Sequence, residues 1–241
     1  MLASGSPRRR ELLQLLGLPF SVLPSDAEEA NLARETASAM VIRLSQAKAQ
    51  ALVRRASGRL IIAADTTVSL DGEVLGKPAS PQDAEIMLRR LRGRPHTVFS
   101  GVTLVEIDSG SARTELVESQ VLMRDYSDQE IASYVASGDP LDKAGSYAIQ
   151  YADFRPVARI VGCYANVMGF PLCHVYCMLR EVGAAPADPP RSACDRFNHR
   201  SCDVAEQILG KARRGSDVTV TTAAQVDHTN PQRERLSERQ V

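Results

Sequence analysis

Leu60-Ile61-Ile62-Ala63-Ala64 is a continuous apolar run that ends at the charged residue Asp65. A short uninterrupted run of this kind is typical of a strand buried on both faces. Asp71-Gly72 follows a few residues later, and an Asp-Gly pair favours a tight hairpin between two strands. The stretch therefore predicts a central strand with Asp65 at its carboxyl end, followed at once by a hairpin.

Helices and further strands are predicted on both sides of this strand. Ser6-Pro7 fits an N-cap and a first helical position, and Gly17 provides a stop for that helix. A second helix is predicted over residues 35–55, and further helices are predicted to begin at Ser80-Pro81, at the capping box 127–130 and at Pro171. The other predicted strands lie over residues 20–23, 97–107, 115–126 and 157–163. Mixed strands and helices, with hairpins beside single crossovers, predict an α/β fold with a mixed sheet.

The composition changes after Gly183, which suggests two parts of the chain. The 241-residue chain is 44% hydrophobic, so a packed globular domain is expected. Residues 184–191 are rich in proline and alanine, and large apolar side chains are scarce beyond them. We predict a domain over residues 1–182 and a largely disordered tail over 183–241, with one helix within 201–211.

Charge and cysteine usage limit the class of protein. Lysine plus arginine equals aspartate plus glutamate, 29 each, whereas nucleic-acid binding needs a basic surface. We find neither an apolar run long enough to cross a bilayer nor a secretory signal. The five cysteines are irregularly spaced, which is typical of free thiols in a reducing compartment. A cytoplasmic protein that binds neither nucleic acid nor a membrane is expected.

Three arginines, Arg8, Arg9 and Arg10, follow Ser6-Pro7 in the first turn of the first predicted helix. The N-terminal end of a helix carries partial positive charge, so cations are unfavourable there unless an anion is bound. Phosphate is the usual ligand of unpaired amides and arginines at such a position. The chain therefore predicts a local phosphate-binding corner at its start.

Several other residues have both a functional and an ordinary structural interpretation. Asp65 could hold a metal ion or accept a proton from water, or it could cap a turn. Lys77 could point at a phosphate, and Lys48 lies among small helix residues that let another surface approach closely, but both could simply lie in solvent. Glu28-Glu29 could bind a divalent cation or form a solvated loop, and Gln150 could pair with a base edge or lie on the surface.

Five segments, in this order along the chain, resemble the motifs of the Maf family. They are residues 2–9 (LASGSPRR), 64–66 (ADT), 72–78 (GEVLGKP), 142–150 (DKAGSYAIQ) and 166–172 (NVMGFPL). The resemblance covers about residues 1–182. It implies nucleoside triphosphate pyrophosphatases that need a divalent cation, Mg²⁺ or Mn²⁺, and act as homodimers. It also implies an elongated α/β structure with two lobes around a cleft, similar to the inosine triphosphatase group.

The resemblance also implies site residues. Asp65 matches the catalytic aspartate, and Glu29 resembles an acidic residue that would share the metal ion with it. Residues matched to the path of the triphosphate are Ser6, Arg9, Lys48 and Lys77. The marks of the subgroup that prefers thymidine and uridine triphosphates are matched by Arg8, Thr66 and Gln150.

The predicted function is hydrolysis of dTTP and UTP to the monophosphate and pyrophosphate, with water attacking the α-phosphate. Two alternatives from the same family are a pyrophosphatase for modified nucleotides such as 7-methyl-GTP and a non-catalytic nucleotide-binding regulator of cell division. A third alternative is a phosphatase that releases orthophosphate.

Overall fold

The protein is built on a five-stranded sheet in the order β2-β1-β3-β4-β5, with neighbouring strands antiparallel. The structure, a computed structural model, describes residues 1–30, 32–56 and 58–211. The strands are β1 (Leu60–Leu70), β2 (Glu73–Leu75), β3 (Pro95–Glu106), β4 (Ala112–Met123) and β5 (Val157–Val161). Leu2 forms isolated parallel bridges with Val22 and with Ile62 of β1. The predicted α/β class is confirmed.

Strand β1 is longer than its apolar run predicts. It continues to Leu70 and pairs with β3 as far as Ser69. The β-branched residues that follow Asp65, namely Thr66, Thr67 and Val68, favour an extended backbone and continue the strand. The expectation that Asp65 ends the strand is therefore wrong, because Asp65 lies in the middle of β1, opposite Gly101 of β3.

The hairpin between β1 and β2 turns at Asp71 and Gly72, as the sequence predicts. Both residues have positive φ angles, 53° at Asp71 and 84° at Gly72. Two successive positive φ angles are the requirement of a type I′ turn, which glycine adopts at no steric cost. The local Asp-Gly signal was therefore sufficient to place this turn.

Helices flank the sheet, and those that follow Ser6, Ser80 and Ser127 begin at the caps that the sequence indicates. They are α1 (Pro7–Gln14), α2 (Ala37–Gln50), α3 (Pro81–Leu91), α4 (Asp128–Ala136), α5 (Tyr164–Val167), α6 (Leu172–Glu181), α7 (Arg191–Phe197) and α8 (Ala205–Lys211). Ser6 caps α1 through its side chain, and Ser127 forms a full capping box with Glu130. Within the described residues, no helix combines the length and the apolar character needed to span a bilayer.

Helix α2 lies unusually close to strand β3 at Gly101. A Cβ atom at this position would come within 2.2 Å of the Val41 carbonyl oxygen. Only glycine permits this approach of two backbones. This contact fixes the distance between α2 and the strands β1 and β3. It therefore also fixes the position of Lys48, which lies on α2.

Residues 184–211, the C-terminal segment, contribute two helices to the domain. Cys194 of α7 is 7% exposed and Ala205 of α8 is fully buried, and Phe197 and Ile208 pack on the same apolar cluster. Helix α8 corresponds to the predicted helix within 201–211, whereas α7 was not predicted. The expectation of disorder is wrong for α7, because a short helix with one buried residue, Cys194, gives little periodic signal. Residues 212–241, also expected to be disordered, lie outside the described residues, and the boundary near residue 183 stays a prediction.

Candidate functional site

Lys48 joins two carboxylates at the centre of the candidate site. Its Nζ lies 2.6 Å from Asp65 Oδ1 and 2.6 Å from Glu29 Oε1. Lys48 is 8% exposed and Asp65 is 7% exposed, whereas the Glu29 side chain is 53% exposed. The three groups therefore form a charged cluster that is buried on the side of the sheet and open on the side of Glu29.

Further cations converge on Glu29. Burial opposes ionisation of this carboxyl, but the hydrogen bond from Lys48 and the charges of Lys48, Lys77 and Arg9 outweigh it, so the pKa of Glu29 is lowered. Lys77 is exposed in the loop after β2. Residues from α1, α2 and the loop after β2 thus act on the carboxylate of Glu29, and their role in a phosphate path stays a prediction.

Arg9 ties three segments of the chain together. Its Nε donates to the Gly169 carbonyl at 3.0 Å, and one terminal nitrogen donates to the Ala64 carbonyl at 2.7 Å. The other terminal nitrogen donates to Thr66 Oγ1 at 3.2 Å. Burial lowers the pKa of Arg9, against the opposing charges of Asp65 and Glu29. These donors bind protein oxygens, so a direct contact of Arg9 with phosphate stays a prediction.

Thr66 belongs to the same hydrogen-bonded group. Its hydroxyl lies 2.8 Å from Ser100 Oγ and 3.3 Å from the Gly169 carbonyl oxygen, in addition to its bond from Arg9. Gly169 has a φ angle of 101°, a conformation that disfavours any side chain. The position of Thr66 beside the site is therefore fixed by the loop that contains Gly169.

The opening turn lies beside the loop of residues 142–150. Ser6 Oγ accepts from the Arg9 backbone N–H at 3.4 Å, which is the predicted N-cap bond. Burial raises the pKa of Asp142, but Lys143 and the charge of Arg8 outweigh this effect and the pKa is lowered. The charge of Arg8, in the first motif, thus favours the ionised form of Asp142, in the fourth motif.

The loop of residues 142–150 also contacts the loop that carries Lys77. The Gly145 N–H donates to the Gly76 carbonyl at 3.0 Å. Gly145 has a φ angle of 68°, and a Cβ there would lie 2.9 Å from Val68 Cγ2. Gln150 is exposed at the end of this loop, and no hydrogen bond of the described residues joins it to the other predicted site residues.

Four further residues shape the site although the sequence assigned them no role. Ser4 Oγ accepts from the Ser6 N–H at 3.2 Å, Ser100 holds Thr66, Gly169 holds Arg9 and Thr66, and Gly101 admits α2. Ser4 and Gly169 lie inside the quoted motifs. The signal for Gly101 was a glycine within a predicted strand, which marks a close backbone approach.

Residues 1–182 match the family model described as "Maf-like protein". The chain belongs to the Maf family. Similar relatives named "dTTP/UTP pyrophosphatase" come from Geotalea uraniireducens (strain Rf4), Geobacter sp. (strain M21) and Syntrophus aciditrophicus (strain SB). Each aligns with this chain over 184 residues, which is 76% of this chain, at 44%, 45% and 44% identity respectively. The aligned part covers 95% of the first two relatives and 90% of the third. The predicted Maf resemblance is confirmed.

Asp65 and Glu29 supply part of the ligand shell that a divalent cation needs. Asp65 and Glu29 present two carboxylates to one cation, the Lys48 ammonium, and carboxylate oxygens are the ligands that Mg²⁺ and Mn²⁺ prefer. Within the described ranges, no group of three His, Cys, Asp or Glu side chains is arranged to hold a metal ion. Because Mg²⁺ commonly binds one or two carboxylates together with substrate phosphates, these two residues fit an ion whose shell the substrate completes.

Proposed function

We propose that this protein hydrolyses dTTP and UTP to the nucleoside monophosphate and pyrophosphate. The observation that carries the proposal is the Lys48 bridge between buried Asp65 and exposed Glu29, with Lys77 and Arg9 close enough to act on the same carboxylate. A buried carboxylate beside converging cations suits a polyanionic substrate that reacts with water. The names of the relatives support the same activity and the same substrates.

The triphosphate would lie along the opening turn and above Lys48. The Arg8 N–H and the positive end of α1 lie at this turn and suit an anion, whereas Pro7 has no N–H and the Arg9 N–H already donates to Ser6 Oγ. Lys77 is exposed and free of the backbone constraints of a helix, so its ammonium can follow the β- and γ-phosphates. Arg8 adds fixed charge beside the turn, and Arg9 holds the backbone carbonyls of Ala64 and Gly169 in place.

Asp65 would accept the proton in the chemical step. Water forms a new bond to the α-phosphorus as the bond to the bridging oxygen breaks, and pyrophosphate leaves with that electron pair. The proton released by water passes to the Asp65 carboxylate, while Lys48 orients this carboxylate through its bond at 2.6 Å. A divalent cation on Asp65 and Glu29 would neutralise phosphate charge. Positioning and charge neutralisation would supply most of the rate, as in other phosphoryl transfers.

Selection of the pyrimidine would depend on Arg8, Thr66 and Gln150. Thr66 is fixed by Ser100 and Gly169, so it offers a rigid surface near the site. Gln150 is exposed and can offer both a donor and an acceptor to a base edge. Their assignment to base recognition rests on the family resemblance.

The direct test is the Asp65→Asn variant, assayed for pyrophosphate release from dTTP with Mg²⁺ or Mn²⁺. We expect kcat to fall by about 100-fold or more, since general acid–base catalysis contributes on that scale. Asp71→Asn is the matched control, because Asp71 lies in the exposed hairpin turn at the end of the same strand. A folded Asp65→Asn protein with full turnover would remove Asp65 from the chemistry.

A substrate panel separates the alternatives. dTTP, UTP, CTP, GTP and 7-methyl-GTP are compared, and the released product is identified as pyrophosphate or orthophosphate. Fastest turnover of 7-methyl-GTP would favour the other subgroup, orthophosphate would indicate a general phosphatase, and metal-independent binding without turnover would favour a regulator.

We also propose that the protein acts in the cytoplasm as a homodimer and does not bind nucleic acid. The balance of 29 basic and 29 acidic residues supports the last point. Light scattering at several protein concentrations measures the oligomeric state, and a constant monomeric mass would contradict the dimer.

A further inference from the structure

The C-terminal segment packs against the part of the Maf domain that leads to Gly169. Buried Cys194 of α7 shares one apolar cluster with Cys163, Ala165 and Phe170. Phe197, Val204 and Ile208 of the same segment pack on this cluster. The C-terminal segment thus packs on residues of the 163–170 stretch.

Arg200 makes a specific contact between the C-terminal segment and residues 163–170. Its guanidinium carbon lies 4.9 Å from the centre of the Tyr164 ring, within the range of a cation–π interaction. A cavity of about 240 Å³ lies beside this contact and is lined by residues of both sides, among them Cys163 and Cys194. The Arg200–Tyr164 contact therefore links the C-terminal segment to residues 163–170 in addition to the apolar cluster.

Tyr164 is connected to Gly169 by a short and rigid path. The Met168 N–H donates to the Tyr164 carbonyl at 3.1 Å, and the Gly169 N–H donates to the Asn166 carbonyl at 2.8 Å. The Gly169 carbonyl then accepts from Arg9 Nε at 3.0 Å and lies 3.3 Å from Thr66 Oγ1. A shift of Tyr164 would therefore move the carbonyl that orients Arg9 and Thr66.

We propose that Arg200 and Tyr164 are positioning residues through which the C-terminal segment holds the Gly169 carbonyl, and with it Arg9 and Thr66, in place for substrate binding. The family match ends at residue 182, so Arg200 lies outside the matched part of the chain. The effect on turnover rests on the proposed function, but the effect on helix α5 and the residues around it, 163–170, does not.

The first test measures hydrogen exchange of the peptides that cover residues 163–170 in the full-length chain. In Arg200→Ala we expect exchange about 2- to 5-fold faster, the factor that corresponds to an exposed cation–π contact. Arg196→Ala is the matched control, because Arg196 is an exposed arginine at the end of α7. Equal exchange in the two variants would overturn the inference, whether or not the protein hydrolyses dTTP.

The second test separates positioning from stability by comparing Tyr164→Leu with Tyr164→Phe. Phenylalanine keeps a ring for Arg200 and should keep the wild-type KM for dTTP, whereas leucine should raise KM about 3-fold or more with a smaller change in kcat. Circular dichroism and Tm confirm that both variants fold. Equal KM values for the two folded variants would contradict the positioning role, while wild-type protein that fails to turn over dTTP would instead contradict the proposed function.

Discussion

Lys48 Nζ and Asp65 Oδ1 lie 2.6 Å apart although the two residues belong to different elements, helix α2 and strand β1. Both side chains are buried, and the pair opens to solvent through Glu29. A buried pair of this kind is strongly destabilised when one partner is removed, because the other charge is left without compensation. The Lys48–Asp65 pair is therefore both a structural contact of α2 and the proposed centre of the chemistry.

The Lys48→Met variant should lose activity and stability together. We expect the free energy of unfolding to fall by about 3 kcal/mol, since methionine fills the space but leaves Asp65 and Glu29 facing each other. Urea unfolding and pyrophosphate release from dTTP measure the two effects. The double variant Lys48→Met/Asp65→Asn should be more stable than the sum of the single effects predicts. Strict additivity would show that the two side chains are not coupled.

The Gly101→Ala variant should displace α2 from the sheet. The added Cβ would meet the Val41 carbonyl oxygen at 2.2 Å, and the backbone on both sides must move to relieve this overlap. We expect a loss of about 2–3 kcal/mol in the free energy of unfolding, in the range of overpacked cores, and a large fall in kcat because Lys48 moves with α2. Chemical unfolding and kcat measure both.

Gly210→Ala is the matched control for Gly101. Among the described residues, a Cβ at Gly210 meets no atom within 4 Å, and alanine is favoured over glycine within a helix such as α8. Unchanged or slightly higher stability is expected. A Gly101→Ala protein as stable and as active as Gly210→Ala would show that α2 tolerates displacement.

Local signals predicted the parts of this fold that depend on neighbouring residues. The Ser6 cap, the Asp71-Gly72 turn and the capping box at Ser127 each depend on a few adjacent residues, and all three are confirmed. The length of β1 and the presence of α7 were missed, because the pairing with β3 and the burial of Cys194 depend on residues distant in sequence.

The candidate site was predictable as a set of residues but not as an arrangement. Motif resemblance pointed to Lys48, Asp65 and Glu29, yet no spacing indicates that one ammonium bridges both carboxylates. No motif indicates that Arg9 also holds Ala64, Thr66 and Gly169. Such contacts arise from tertiary packing, which sequence periodicity does not encode.

The Thr66→Val variant should raise KM for dTTP with a modest loss of stability. Valine keeps the shape of threonine but leaves one Arg9 donor and the Ser100 hydroxyl without their partner. We expect a loss of about 1–2 kcal/mol in the free energy of unfolding and a several-fold higher KM. Thr67→Val is the control, since successive residues of a strand point to opposite faces. Equal KM values in the two variants would separate Thr66 from substrate binding.

His96 should make the stability of the protein depend on pH. The side chain is 4% exposed, and its Nε2 lies 2.8 Å from the Tyr147 hydroxyl in the loop of residues 142–150. Burial lowers the pKa of His96 from 6.5 to about 4. Between these two values the unfolded chain binds a proton that the folded chain does not, so stability is lost as the pH falls from about 6.5 to about 4.

The contribution of His96 to this loss should be about 3 kcal/mol, and it is measured by urea unfolding at several pH values in wild type and in His96→Gln. Carboxylates also titrate at the acidic end of this window, but they do so equally in both proteins, so the difference between the two curves isolates His96. His174→Gln is the control, because His174 is half-buried at the surface beside Glu115. We expect His96→Gln to flatten the curve and His174→Gln to follow wild type. Parallel curves for all three proteins would show that His96 is not buried in its neutral form.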